Sequence, residues 1–91
     1  MATTAEPGGD TEDLSVARFY EGNGNLTAAY LRTKDAVKVL PNDPEVHFAH
    51  AQIAQKLKKR DEAIAEYNAY LKLDPEGERI KTARKALSQL Q

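Results

Sequence analysis

Apolar positions recur along this chain at three- and four-residue spacing, the mark of helices with one buried face. Breaks rich in Gly, Pro, Asn or Lys cut the pattern into five stretches. The first predicted helix runs from Glu12 to Glu21, with Leu14, Val16, Ala17, Phe19 and Tyr20 as its apolar stripe. Thr11 is its expected cap, and Gly22-Asn23-Gly24-Asn25 ends it. The second, capped by Thr27, turns Ala29, Tyr30, Thr33, Ala36, Val37 and Leu40 inward and stops at Pro41. Asn42-Asp43-Pro44 opens the third, with Asp43 as cap and Pro44 in first position. It sets Val46, His47, Phe48, His50, Ala51, Ile53, Ala54 and Leu57 toward a core. Lys58-Lys59-Arg60 forms the next turn. Asp61 is the expected cap of a fourth helix that buries Ala63, Ile64, Tyr67, Tyr70 and Leu71 and halts at Asp74-Pro75. Beyond Gly77, Glu78 to Leu90 predicts a fifth helix with Ile80, Ala83, Leu87 and Leu90 on one face; Arg79, Lys81, Lys85 and Gln89 point away. Met1 to Asp10 holds Pro7, Gly8 and Gly9 among small and polar residues, and predicts a flexible tail.

The pattern also repeats itself once. Thr27 answers Asp61, Ala29 answers Ala63, Val37 answers Leu71 and Pro41 answers Pro75. A period of about 34 residues belongs to helical hairpins, which bury their apolar faces by stacking on one another. Such stacks offer surfaces rather than deep catalytic pockets, so the expected job is binding.

Composition narrows this further. The chain has 91 residues, 41% hydrophobic and 30% charged, as expected of one small soluble domain. A net charge of −1 argues against a general nucleic-acid binder. No apolar run is long enough for a membrane span, and no basic-then-apolar leader opens the chain, which leans weakly toward the cytoplasm. Cysteine is absent, removing disulfide, zinc-thiolate and thiol chemistry.

Small residues Ala51 and Ala63, the aromatic Tyr67 and the closing Pro75 stand at family spacing, and Asp61-Glu62-Ala63-Ile64-Ala65-Glu66-Tyr67 is close to a known second-helix consensus. On these residues Pro44 to Pro75 resembles a tetratricopeptide repeat. Asp10 to Asp43 is a weaker copy, with Ala17, Tyr20, Gly24, Ala29 and Pro41 in place and Thr33 where an aromatic is usual. In the second copy His47 replaces the preferred Trp, His50 the Leu and Ala54 the Tyr, while Tyr70 fills a position that is usually Ala. The resemblance implies an all-α fold of antiparallel helix-turn-helix repeats in a short right-handed solenoid. It would occupy residues 11–91, with repeats at about 10–43 and 44–77 and a capping helix at about 78–90.

It also implies a concave groove, lined by the first helix of each repeat, that binds a peptide or protein segment. Carried over by register, that groove is Leu14, Arg18 and Glu21, then Glu45, Phe48, Gln52, Gln55 and Lys56, then Arg79, Thr82 and Ala86. Leu14 and Phe48 would be its apolar spot, the amides would bond a peptide backbone, and the cations would hold carboxylates. The clamp of chaperone-binding members is not expected, because Leu14, Arg18 and Ala49 occupy its lysine and asparagine positions. The alternative is a structural or self-associating segment of a larger protein, with Leu14 and Phe19 completing an interface between copies.

Other chemistry finds less support. His47 and His50 share a helix face and could reach one metal with Asp43 or Glu45, but their register is that of packing residues. There is no glycine-rich phosphate loop and no Gly-x-Ser-x-Gly elbow, and the carboxylates fall at caps or on solvated faces, so neither enzyme activity nor a cofactor is expected. The basic runs Lys56 to Arg60 and Arg79 to Lys85 read as solvated turn and cap charges without the interleaved aromatics that stack nucleic-acid bases.

Overall fold

The computed structural model of the protein describes residues 9–91. Five helices follow in order: α1 (Gly9–Gly22), α2 (Leu26–Val39), α3 (Pro44–Lys56), α4 (Arg60–Leu73) and α5 (Ile80–Leu90). No strand occurs among the described residues, and each helix packs on the next. The fold is all-α. Most of the predicted tail lies outside the described residues, but Gly9 and Asp10 belong to α1, so Thr11 sits inside that helix rather than capping it.

Helix starts follow the turns that precede them. Asn25, not Thr27, caps α2: its side chain accepts from the Ala28 amide at 3.1 Å. Asp43 caps α3 as expected, accepting from the Glu45 amide at 2.9 Å, with Pro44 in the first turn. Lys59, not Asp61, occupies the cap of α4 and supplies no side-chain bond. Asp61 and Glu62 fall instead in the first turn, where they complement the helix dipole. Helix α5 begins at Ile80, slightly later than the pattern suggests.

The hairpin turns recur bond for bond. Asn25 and Lys59 donate their amides to Tyr20 and Ala54 carbonyls, both at 2.8 Å; Gly24 and Lys58 donate to Glu21 and Gln55, both at 3.0 Å. The helix ends match as well, with Leu40 donating to Ala36 and Asp74 to Tyr70, both at 2.9 Å. The repeat period is therefore a property of the backbone as well as of the letters.

Two hydrophobic clusters hold the helices. One joins Ala17, Ala29 and Ile53 where α1, α2 and α3 cross. The other centres on Phe48, Tyr67 and Tyr70, with Ala83 and Leu87 of α5 sealing it. Alanines 29, 36, 51, 54, 63 and 83 are fully covered, and their small size lets neighbouring helices approach closely. His47 meets Glu66 and His50 meets Glu62, so positions that rise along α3 fall along α4, and this pair is antiparallel. Phe19 departs from its predicted place in the apolar stripe. It is 65% exposed, with the Tyr20 ring edge-on to it at 5.8 Å between centroids. Ala86 also departs, being buried with Leu87.

Candidate functional site

Helices α1, α3 and α5 border two clefts that meet at Gln52. The first, about 130 Å³, has Leu14, Arg18 and Glu21 of α1 on one side and Glu45 and Gln52 of α3 on the other. Arg79, in the turn before α5, lines it as well, with Phe48 and Ala49. The second, about 360 Å³, runs between Gln52, Gln55 and Lys56 of α3 and Thr82, Lys85 and Gln89 of α5. Tyr67 and Ala86 also line it. Thus the register that selects Leu14, Arg18, Glu21, Phe48, Gln52, Gln55, Lys56, Arg79 and Thr82 selects residues that the fold brings to two joined clefts.

Three of these side chains do something other than expected. Phe48 is only 6% exposed, with Tyr67 and Tyr70 ring centroids at 5.9 and 5.3 Å, so it is core rather than an open apolar contact. Arg79 does not point away: its Nε donates to Glu45 Oε1 at 2.8 Å, and its guanidinium lies 5.2 Å from the Phe48 ring centroid. That hydrogen bond, with the Glu45 charge, raises the Arg79 pKa above its ordinary value. Gln55 turns its oxygen to the Tyr67 hydroxyl at 2.7 Å, leaving its NH2 to other partners. Glu21 and Lys56 form an ion pair between α1 and α3.

Lys85 and Gln89 were legible as cleft residues only through their three- and seven-residue steps from Thr82, which place all three on one side of α5. Their solvated appearance in the pattern hid this.

The histidines form a separate network between α2, α3 and α4. His47 Nδ1 meets Glu66 at 2.6 Å and its Nε2 meets the Pro41 carbonyl at 2.7 Å; that carbonyl can only accept, so Nε2 carries a hydrogen. His50 Nε2 meets Glu62 at 2.5 Å and its Nδ1 meets the Thr33 hydroxyl at 2.7 Å. Thr33, 1% exposed, also faces the Ala29 and Tyr30 carbonyls at 3.1 Å. Tyr30 donates to the other Glu62 oxygen at 2.9 Å, and Lys59 Nζ lies 5.0 Å from the Tyr30 ring centroid.

Burial alone would raise the Glu62 carboxyl. Hydrogen bonds from His50 and Tyr30, with the charges of His50 and Lys59, outweigh it and hold the group below its ordinary range. Burial, then the bond to Glu62 and its charge, push the Tyr30 hydroxyl above 10.0, and burial does the same to Tyr67. Each ring nitrogen of both histidines thus has a protein oxygen as partner. Among the described residues no three His, Asp or Glu side chains stand together at metal-binding range. The signal for these partners was present in sequence: histidines three apart on one helix oppose Glu62 and Glu66, four apart on the next.

No helix among the described residues is long and apolar enough to cross a membrane. No protein-family model matches the chain, and no curated protein matches it.

Proposed function

We propose that this protein is an interaction module of the tetratricopeptide kind, binding a peptide or protein segment along the clefts between α1, α3 and α5. One observation carries the reading: residues from three helices, selected by the repeat register, line two clefts that meet at Gln52 and present amide, hydroxyl and cationic side chains. The recurrence of the turn hydrogen bonds at the same separation supports the repeat architecture on which that register depends. A segment laid along the clefts would meet the amides of Gln52 and Gln55, the Thr82 hydroxyl and the cations of Arg18 and Lys56. The work is recognition rather than catalysis, and it needs no cofactor.

A peptide-display selection tests this. The wild-type chain is the bait, and a variant with Arg18→Ala, Gln52→Ala and Lys56→Ala is the counter-bait. Peptides retained by the wild type alone are the expected result. Peptides retained equally by both would remove the clefts from the reading, provided the two chains melt alike.

A second reading rests on Phe19. Its 65% exposure, with Leu31 at 56% and Val39 at 58% on α2, suits a contact between copies. Sedimentation would then show mass rising with concentration, and Phe19→Ser would return it to the monomer. A constant mass would dismiss self-association.

A further inference from the structure

We infer that the segment these clefts receive is acidic and extended, and that Arg18 and Lys85 are the groups that read its charge. The inference rests on the cleft-binding reading above and adds the chemistry of the partner. Four cations line the clefts, Arg18, Lys56, Arg79 and Lys85, against two anions, Glu21 and Glu45. Both anions are already matched, Glu21 by Lys56 and Glu45 by Arg79. Among residues 14–91, Arg18 and Lys85 meet no carboxylate. The chain as a whole carries −1, so this positive balance is local to the clefts rather than inherited from bulk composition.

The lining of the first cleft also argues against an apolar helix as occupant. Such a partner anchors large side chains in dry pockets. Phe48, the largest apolar side chain beneath the first cleft, is almost wholly covered and has Arg79 over its ring. An extended acidic strand fits better. Arg18, in one cleft, can grip a carboxylate with two parallel hydrogen bonds, and Lys85, in the other, acts as a point charge. Gln52, shared by the two clefts, and Gln89 of the second offer both donors and acceptors to a peptide backbone.

The other basic region, from Lys58 in the turn after α3 to Arg60 at the start of α4, is less suited. Its Lys59 lies against the Tyr30 ring, and its Arg60 donates to the Leu90 carbonyl at 2.6 Å.

The test uses two capped synthetic decapeptides, one alternating Glu with Thr and one with Gln in place of every Glu. Each is titrated into the isotope-labelled full chain and followed by backbone amide shifts. The acidic peptide should move amides of α1, α3 and α5 and bind at least about tenfold more tightly than its amide twin. Its affinity should fall as salt rises through about 0.15 M. Arg18→Glu with Lys85→Glu should abolish that preference and favour a peptide alternating Lys with Thr, while the melting curve stays in place because both side chains are exposed.

Equal cleft binding by the amide peptide would overturn the acidic partner and leave the cleft reading standing. Shifts confined to the Lys58–Arg60 turn would overturn both. No shift with either peptide would overturn the acidic partner, and the display selection would still judge the clefts independently.

Discussion

In the first hairpin the chain turns through Gly24 at φ 80°; in the second it turns at the same place through Lys58 at φ 65°. Flanking hydrogen bonds are nearly equal in length, yet glycine enters this left-handed region freely and lysine does not. The helix that follows each hairpin shows a second exchange. After the first, Asp43 caps the Glu45 amide with its side chain, and the helix position ahead of it is filled by Ala36. After the second, Gly77 replaces Asp43 and has no side chain to cap with. The Arg79 amide, one repeat beyond Glu45, is met at 3.0 Å by the hydroxyl of Tyr70, which replaces Ala36. A side chain on Gly77 would collide with that hydroxyl and with the Asp74 carboxylate. Alanine with aspartate in one copy, and tyrosine with glycine in the other, are thus two solutions to one capping problem. The lesson is that the repeat is preserved as a set of satisfied backbone groups, while the atoms that satisfy them are interchangeable.

Transplanting one solution onto the other should break this comparison most severely. Tyr70→Ala alone empties a fully buried site and should cost about 3–5 kcal/mol. Gly77→Asp alone overpacks the corner and should cost about 1–3 kcal/mol. Made together they recreate the Ala36–Asp43 arrangement, so urea denaturation should find the double variant about 1–3 kcal/mol better than the sum of its parents. Simple additivity would show the two positions to be independent.

Thr33→Val, at the first-hairpin counterpart of Tyr67, should come next. It keeps the volume but strips His50 of its hydroxyl partner, at a cost of about 1–3 kcal/mol by the same assay. Gly24→Ala should then cost about 1–2 kcal/mol through backbone strain alone, since nothing lies near the added methyl. Lys58→Gly should act in the opposite direction, stabilising by less than about 1 kcal/mol as strain relief is partly offset by unfolded-state entropy. Equal effects at both turns would mean the lysine is not strained.

The mildest difference is in acid. Glu62 has no carboxylate counterpart in the first hairpin, where Ala28 stands one repeat earlier. Its carboxyl is held below 4.5 in the folded chain, so its contribution is complete above that value and is lost as pH falls through the lowered one. Denaturation midpoints measured in that range should fall less steeply for Glu62→Gln than for the wild type. Parallel acid limbs would show the Glu62 network to be energetically idle.

Helices and their packed faces were legible because three- and four-residue spacing reports burial directly, and every inward position assigned to α3 is at least half-buried. Caps were less so. Thr27 and Asp61 have the right chemistry, but the left-handed Gly24 and Lys58 set the start of each helix earlier. Lysine carries no signal for such a conformation. Phe48 lies at the border between core and cleft, where spacing alone cannot tell an open ring from one covered by an arginine in the turn before α5. The role of Tyr70 was invisible for a related reason: its partner is an amide in the next turn, and only the absence of a side chain at Gly77 hints at it.

That tyrosine oxygen also makes one backbone proton unusual. In deuterated water the Arg79 amide is freed when the corner opens, whether Tyr70 withdraws or α5 lifts. The Asp74 amide, at the end of α4 and bonded to the Tyr70 carbonyl at 2.9 Å, is freed only when that helix end unwinds. The ratio of the two isotope-exchange rates is therefore a gauge, internal to the molecule, of how often this corner opens while the end of α4 stays wound.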